Sequence, residues 1–90
     1  ELSEVRPAFE GLVEQLDGVQ EWDRERLQAV LRGYCESSEW KPRDLFMPVR
    51  IAVTGRKATP GLFESLEVLG KERVRRRLRQ AIKTLKAAGH

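Results

Sequence analysis

The segment from Arg50 to Leu62 carries the side chains of this sequence with the clearest capacity to bind a ligand. It offers an arginine guanidinium, two further cations and the pair Thr59-Pro60, which is typical of a helix start. A guanidinium forms paired, coplanar hydrogen bonds with a base edge or a phosphate. Amides at a helix start attract an anion or a base carbonyl. With Leu62 exposed as a flat apolar surface for an unstacked base, the segment predicts a pocket for single-stranded RNA.

Less specific interpretations of the same segment stay open. Arg50 could simply pair with Glu67 or Asp44. A DNA-binding helix-turn-helix is not favoured, because its recognition helix must be polar and exposed, whereas the helix predicted after this segment is mostly apolar.

The sequence lacks the side chains on which most enzymes depend. The single histidine, His90, is the last residue, and Cys35 has no histidine partner with which to form a nucleophile. The carboxylates of the first half lie on the polar faces of predicted helices. Gly55-Arg56-Lys57 has neither the spacing nor the preceding strand of a phosphate-binding loop. We therefore predict no catalytic residue, no metal site and no cofactor within these 90 residues.

The formal net charge of +3 conceals a strong division between the two halves of the chain. Residues 1–40 hold ten acidic and four basic side chains, a net charge of −6. Residues 41–90 hold four acidic and thirteen basic side chains, a net charge of +9. The basic half favours a polyanionic partner such as a nucleic acid. Alternatively, the two halves attract each other, or the basic face is only solvated.

Length and composition predict one all-α domain spanning residues 1–90. Hydrophobic residues make up 40% and charged residues 34%, which is typical of a soluble globular helical domain. No apolar run is long enough to span a bilayer. A lone cysteine and the lack of a visible signal peptide favour the cytoplasm. The missing initiator Met indicates a fragment of a longer protein.

Five short helices are expected to position the binding segment. The first spans residues 3–17, and the second begins at its N-cap Asp23 and frays near Ser37-Ser38. The third opens at Lys41-Pro42 and stops before Gly55, because glycine readily adopts the left-handed conformation that ends a helix. Pro48 and the β-branched residues of this third element leave a strand as the alternative. A lone strand would leave its backbone groups unpaired, so we prefer a helix bent near Pro48.

The last two helices flank the segment on its C-terminal side. Thr59 is expected to cap the fourth helix, with Pro60 in its first position and Leu69 at its end. After Gly70 the fifth helix runs from about Lys71 to Ala87. Its cations outnumber its acids, and they have two interpretations. They approach an RNA backbone, or they face acidic residues 1–40 and a preceding domain.

Two stretches of the sequence resemble the C-terminal region of bacterial glutamyl-tRNA synthetases. They are residues 41–55, KPRDLFMPVRIAVTG, and residues 59–74, TPGLFESLEVLGKERV, followed by Arg77-Leu78. The resemblance implies a cage-type, all-α anticodon-binding subdomain of a class I aminoacyl-tRNA synthetase. It also implies that ATP and Mg²⁺ act in a Rossmann-type catalytic domain outside this sequence, where glutamate is activated and transferred to tRNA.

The resemblance further implies which residues contact the RNA. Four are expected to read the second and third anticodon bases: Arg50, Thr59, Pro60 and Leu62. Five more are candidates for contact with the tRNA backbone because of their positive charge alone, not because of the resemblance: Arg56, Lys57, Arg75, Arg76 and Arg79. The implied partners are a tRNA with a glutamate-type anticodon and the upstream domains of the same polypeptide, in a monomer without membrane contact.

Two other functions stay open. One is a helical protein–protein module whose basic last helix docks onto an acidic partner. The other is a stand-alone RNA-binding relative without synthetase activity.

Overall fold

Residues 2–56 and 61–90, which the computed structural model describes, form five α-helices and no strand. This confirms the predicted all-α fold. In chain order the helices are α1 (Leu2–Asp17), α2 (Arg24–Ser38), α3 (Pro42–Thr54), α4 (Leu62–Leu69) and α5 (Lys71–Ala87).

Helix α2 begins and ends where the sequence predicts. The Asp23 carboxylate accepts a hydrogen bond from the Arg26 amide at 2.8 Å, which caps the first turn. The helix continues through Ser38, and Glu39 closes it in the left-handed conformation at φ +60°, with its amide bonded to the Cys35 carbonyl. A left-handed glutamate has no sequence signal, because that position normally favours glycine or asparagine.

The third element is a helix, as preferred, and it runs through Pro48 without interruption. Val49 and Val53 are buried four residues apart, whereas Ile51 between them is 42% exposed. A strand would have placed all three side chains on one face. The helical alternation of burial shows that tertiary packing overrides the β-propensity of these residues.

Helices α4 and α5 are joined by a single residue. Gly70 has φ +86°, its amide donates to the Leu66 carbonyl, and its carbonyl accepts from the Val74 amide. Glycine suits this position because side chains rarely tolerate positive φ. The predicted bounds of α5, Lys71 and Ala87, are confirmed.

One apolar core joins all five helices. Its fully or nearly buried members come from every helix: Val5, Ala8, Phe9, Leu12, Val13, Leu16, Val19, Leu27, Leu31, Cys35, Leu45, Val49, Val53, Leu62, Leu66, Val74 and Leu78. Helix α1 packs most extensively against α5, although they are far apart in sequence. Within the described ranges no charged side chain is buried, and no helix is long and apolar enough to cross a membrane.

Candidate nucleic-acid interface

The C-terminal end of α3 is closed by a compact set of hydrogen bonds. Gly55 adopts φ +74° and its amide donates to the Ile51 carbonyl at 2.8 Å, which confirms it as the predicted stop. The Thr54 hydroxyl donates to the Arg50 carbonyl at 2.7 Å. The Arg56 amide in turn donates to the Thr54 hydroxyl oxygen at 3.1 Å. The backbone from Arg50 to Arg56 is therefore held at several points.

Arg50 lies on the side of α3 that approaches the start of α4. It is half-buried and follows Phe46 by one helical turn, so both side chains leave the same face. The Phe46 ring meets the Phe63 ring edge-to-face, with centroids 5.4 Å apart. Because Phe63 belongs to the first turn of α4, this face of α3 abuts the beginning of that helix.

The start of α4 presents backbone amides close to this face. Gly61 is the N-cap, in an extended conformation, and it supplies no side chain to bond the first amides of the helix. The expected cap Thr59, the expected first residue Pro60 and the cation Lys57 lie outside the described residues. In the described part of the chain, α4 begins at Leu62.

Leu62 differs from the expectation of an exposed apolar surface. Its side chain is only 4% exposed and belongs to the core. The reason is helical spacing: Leu62 and Leu66 lie one turn apart on the face of α4 that packs inward, as the apolar stripe of this helix predicts. Leu62 therefore anchors the first turn of α4 to the core. The large apolar side chain that α4 does expose is Val68, at 83%.

The arginines of α5 divide into two groups. Arg75 directs its Nε to Asp17 Oδ1 at 2.5 Å, an ion pair without the alignment of a hydrogen bond, and its Nη1 donates to Glu72 Oε1 at 2.9 Å. Arg79 approaches the same Asp17 carboxylate at 3.8 Å. Arg76 is exposed. Among these candidates for contact with the tRNA backbone, Arg76 faces solvent, whereas Arg75 is paired with carboxylates of the same chain.

The exposed Arg56 lies beside a shallow cleft at the end of α3. The cleft is also lined by Thr54, Val68 and Arg77, and it measures about 420 Å³. The Glu64 carboxylate also lines this cleft, so the two guanidinium groups there exceed the acidic groups by one charge.

Three side chains that fix the helices were not singled out by their sequence pattern. The Arg77 Nη1 donates to the Val53 carbonyl at 2.6 Å, at the end of α3. The Trp22 indole donates to the Leu66 carbonyl of α4 at 2.8 Å. The Lys71 ammonium donates to the carbonyls of Asp17 and Val19, just after α1. Each bond joins distant parts of the chain, so a local pattern could not reveal it.

Arg24 and Glu67 fix α4 from the outside. The Arg24 Nε donates to Glu67 Oε1 at 3.2 Å, and its Nη1 lies 3.5 Å from Glu64 Oε1. These contacts tie the first turn of α2 to the outer face of α4.

The pKa values of two adjacent groups in α2 are raised. Burial raises the pKa of the Cys35 thiol, although the charge of Arg32 acts in the opposite direction, so the thiol stays protonated at neutral pH. Burial also raises the pKa of Tyr34, whose hydroxyl donates to the Ala8 carbonyl at 2.7 Å. Residues 2–56 and 61–90 contain no cluster of His, Cys, Asp or Glu that could hold a metal ion.

Comparison with known proteins matches the chain to one family and to a set of relatives. The sequence pattern of the family described as "Anticodon binding domain" matches residues 1–82. The glutamate–tRNA ligase of Saccharopolyspora erythraea is 44% identical over 77 residues, which cover 84% of this chain and 15% of the relative. That of Thermus thermophilus is 42% identical over 81 residues, 90% of this chain and 17% of the relative. The chain thus spans about one sixth of the length of these curated relatives.

Proposed function

The chain belongs to the anticodon-binding domain family, and from that premise we propose that it recognises the anticodon of a glutamate tRNA as part of a glutamate–tRNA ligase. Glutamate activation, with its ATP and Mg²⁺, would then take place outside these 90 residues. The proposal includes cytoplasmic location and contact with other domains of the same polypeptide.

One observation carries the proposal: the face of α3 that bears Arg50 abuts the start of α4. Phe46 and Phe63 hold the two helices together at this level. Arg50 and the first backbone amides of α4 therefore lie at the same helix junction. This combination suits an unpaired base, whose edge has both acceptors and donors, better than it suits a duplex groove.

In this mechanism the anticodon loop unstacks and its bases approach the junction of α3 and α4. Arg50 hydrogen-bonds one base edge, and main-chain groups around Thr59 and Pro60 bond another. Arg56, with Lys57 beside it in sequence, attracts the phosphates that flank the bases, and this attraction is independent of sequence.

The direct test is binding of the chain to two anticodon stem-loop RNAs. One carries the glutamate anticodon, and the other differs only in its second and third anticodon bases. We expect the first RNA to bind more tightly, by about 1–3 kcal/mol for each changed base. Measurement at one fixed salt concentration is essential, because phosphate contacts contribute equally to both RNAs. Equal affinities would refute anticodon recognition by this chain.

Docking of α5 onto an acidic protein is less well supported as the function. Two of its central arginines, Arg75 and Arg79, are already directed at Asp17 of the same chain. Part of the charge of the basic helix is therefore compensated by the acidic half of its own domain.

A further inference from the structure

Arg77 reaches the end of α3 from a different helix. It extends from α5, where its neighbours Val74 and Leu78 are completely buried and fix the helix backbone. Its Nη1 donates to the Val53 carbonyl at 2.6 Å, across 24 positions of sequence. The last carbonyls of a helix have no partner within the helix, and a cation there also complements the helix dipole. Arg77 thus supplies a hydrogen-bond donor to the C-terminal end of α3 from a helix that is itself held by buried residues.

The carbonyl that Arg77 binds adjoins the bonds that hold Arg50. Val53 is 1% exposed, and the next residue, Thr54, bonds the Arg50 carbonyl through its hydroxyl. Thr54 also accepts the Arg56 amide at 3.1 Å. A displacement of the Val53 carbonyl would therefore move the last turn of α3 and the direction in which the chain leaves it.

Arginine suits this position for a geometric reason. A guanidinium holds its donors in a rigid plane, whereas a lysine ammonium is a compact charge on a flexible stem. A preorganised side chain loses less conformational entropy when it reaches a fixed carbonyl on a neighbouring helix.

We propose that Arg77 is a positioning residue for base discrimination. It fixes the end of α3. Arg50 and the residues directly after α3 are thereby held in the arrangement that distinguishes anticodon bases. Arg77 acts through the backbone of α3 and needs no contact with the RNA. This inference rests on the proposed function.

The test compares Arg77→Gln and Arg77→Lys with Arg73→Gln, a matched control that removes an exposed arginine from the same helix. Affinity is measured for the glutamate-anticodon stem-loop and for the anticodon-swapped stem-loop. We expect Arg77→Gln to reduce the ratio of the two affinities about tenfold, mainly by weakening the cognate RNA. Arg77→Lys should restore only part of that ratio. The control should keep the ratio of the unmodified chain.

Two results would overturn the proposal. If Arg77→Gln weakens both RNAs equally and Arg77→Lys restores both, Arg77 is only an electrostatic contact. If Arg77→Gln lowers the melting temperature but keeps the affinity ratio where the protein is folded, its role is only structural.

A second measurement separates this proposal from the proposed function. Hydrogen exchange of the Gly55 amide, which bonds the Ile51 carbonyl, needs no RNA. We expect faster exchange at Gly55 in Arg77→Gln than in Arg73→Gln, and equal exchange would refute the positioning role. If the unmodified chain does not distinguish the two RNAs, the proposed function fails. The exchange measurement alone then decides whether Arg77 holds the end of α3.

Discussion

Arg75 Nε lies 2.5 Å from Asp17 Oδ1, so the basic fifth helix is paired with the last residue of the acidic first helix. The Arg75 side chain is 23% exposed, and Asp17 is 41% exposed. The opposite net charges of the two halves of the chain therefore meet inside one domain. This contact supports the interpretation that part of α5 faces residues 1–40.

Loss of this ion pair should lower stability. We expect Arg75→Gln to reduce the free energy of unfolding by about 1 kcal/mol, because the pair is partly exposed and screened by solvent. For a domain of this size, that corresponds to a fall of about 4–8 °C in melting temperature. Thermal unfolding followed by circular dichroism measures it. Asp17→Asn should give a similar loss, and the double variant should lose less than the sum. Strict additivity would show that the two side chains do not interact.

Exposed Arg76 should contribute more to RNA affinity than Arg75 does. If Arg76 meets one phosphate, Arg76→Gln should lower the slope of log affinity against log salt concentration by about 0.7. Arg75→Gln should change the slope less, since Arg75 is bound to Asp17 and Glu72. A salt titration of both variants against the same stem-loop gives the comparison. An equal change in slope would contradict the division of α5 into two groups of arginines.

Arg50 should determine specificity instead of general affinity. Arg50→Ala is expected to cost about 1–3 kcal/mol in the difference between cognate and anticodon-swapped RNA. Arg43→Ala is the matched control, because Arg43 is an exposed arginine in the first turn of the same helix. In a longer ligase, the same variants can be compared by kcat/KM for aminoacylation of the two tRNAs. Retained discrimination in Arg50→Ala would refute base reading by this side chain.

Gly11 and Tyr34 should be energetically coupled. A Cβ atom added at Gly11 would overlap the Tyr34 hydroxyl, which bonds the Ala8 carbonyl at 2.7 Å. Gly11→Ala would gain about 1 kcal/mol of helix propensity. We nevertheless expect a net loss of about 1–2 kcal/mol, because the tyrosine must move and its hydrogen bond breaks.

A double-mutant cycle tests this coupling. In the background of Tyr34→Phe, where the hydroxyl is absent, Gly11→Ala should be close to neutral. Urea denaturation of the four proteins gives the coupling free energy, expected to be about 1 kcal/mol or more. Identical effects of Gly11→Ala in both backgrounds would contradict the close approach.

Cys35 should make stability fall at alkaline pH. Its raised pKa means that the folded protein keeps the thiol proton where the unfolded chain releases it, above about pH 8.5. Stability is then complete below that pH and falls as pH rises, by up to about 1.4 kcal/mol per pH unit, until the folded thiol also ionises. Tyr34 adds to the loss above about pH 10 for the same reason.

Denaturant unfolding between about pH 8 and pH 9.5 measures the effect, because this range brackets the ordinary pKa of a thiol. Cys35→Ala should be less stable throughout, because it leaves a cavity, but its stability should vary less with pH. An unchanged pH dependence would assign the effect to another group. A thiol reagent should label Cys35 only when the protein unfolds, since the side chain is 1% exposed.

The sequence predicted most of the fold because its local signals agree with one another. Gly55 ends α3 since glycine readily takes positive φ, and Asp23 begins α2 since its carboxylate caps free amides. The apolar spacing of α5 predicted its bounds correctly. The preference for a helix at Val49 and Val53 was correct. The core residues of this element recur every four positions, and this spacing outweighed the β-propensity of its side chains.

The candidate site was less predictable because it depends on which helix faces which. Spacing placed Leu62 on the buried stripe of α4, yet the binding interpretation required it to be exposed. Leu62 is buried because removing its apolar side chain from water stabilises the fold more than leaving it exposed for a base to contact. A list of cations likewise could not show that Arg75 turns to Asp17 while Arg77 turns to Val53. Those directions follow from the packing of α5 against α1 and α3.

The pairing of α1 with α5 also has a consequence for synthesis on the ribosome. The Lys71 ammonium bonds the last carbonyl of α1, and Lys71 is synthesised 54 residues after Asp17. At about 5–20 residues per second, α1 must wait about 3–10 s for the helix that covers it. Throughout that interval the part of the α1 surface that α5 covers stays exposed. The end of α3 likewise lacks its hydrogen bond from Arg77 until α5 is made.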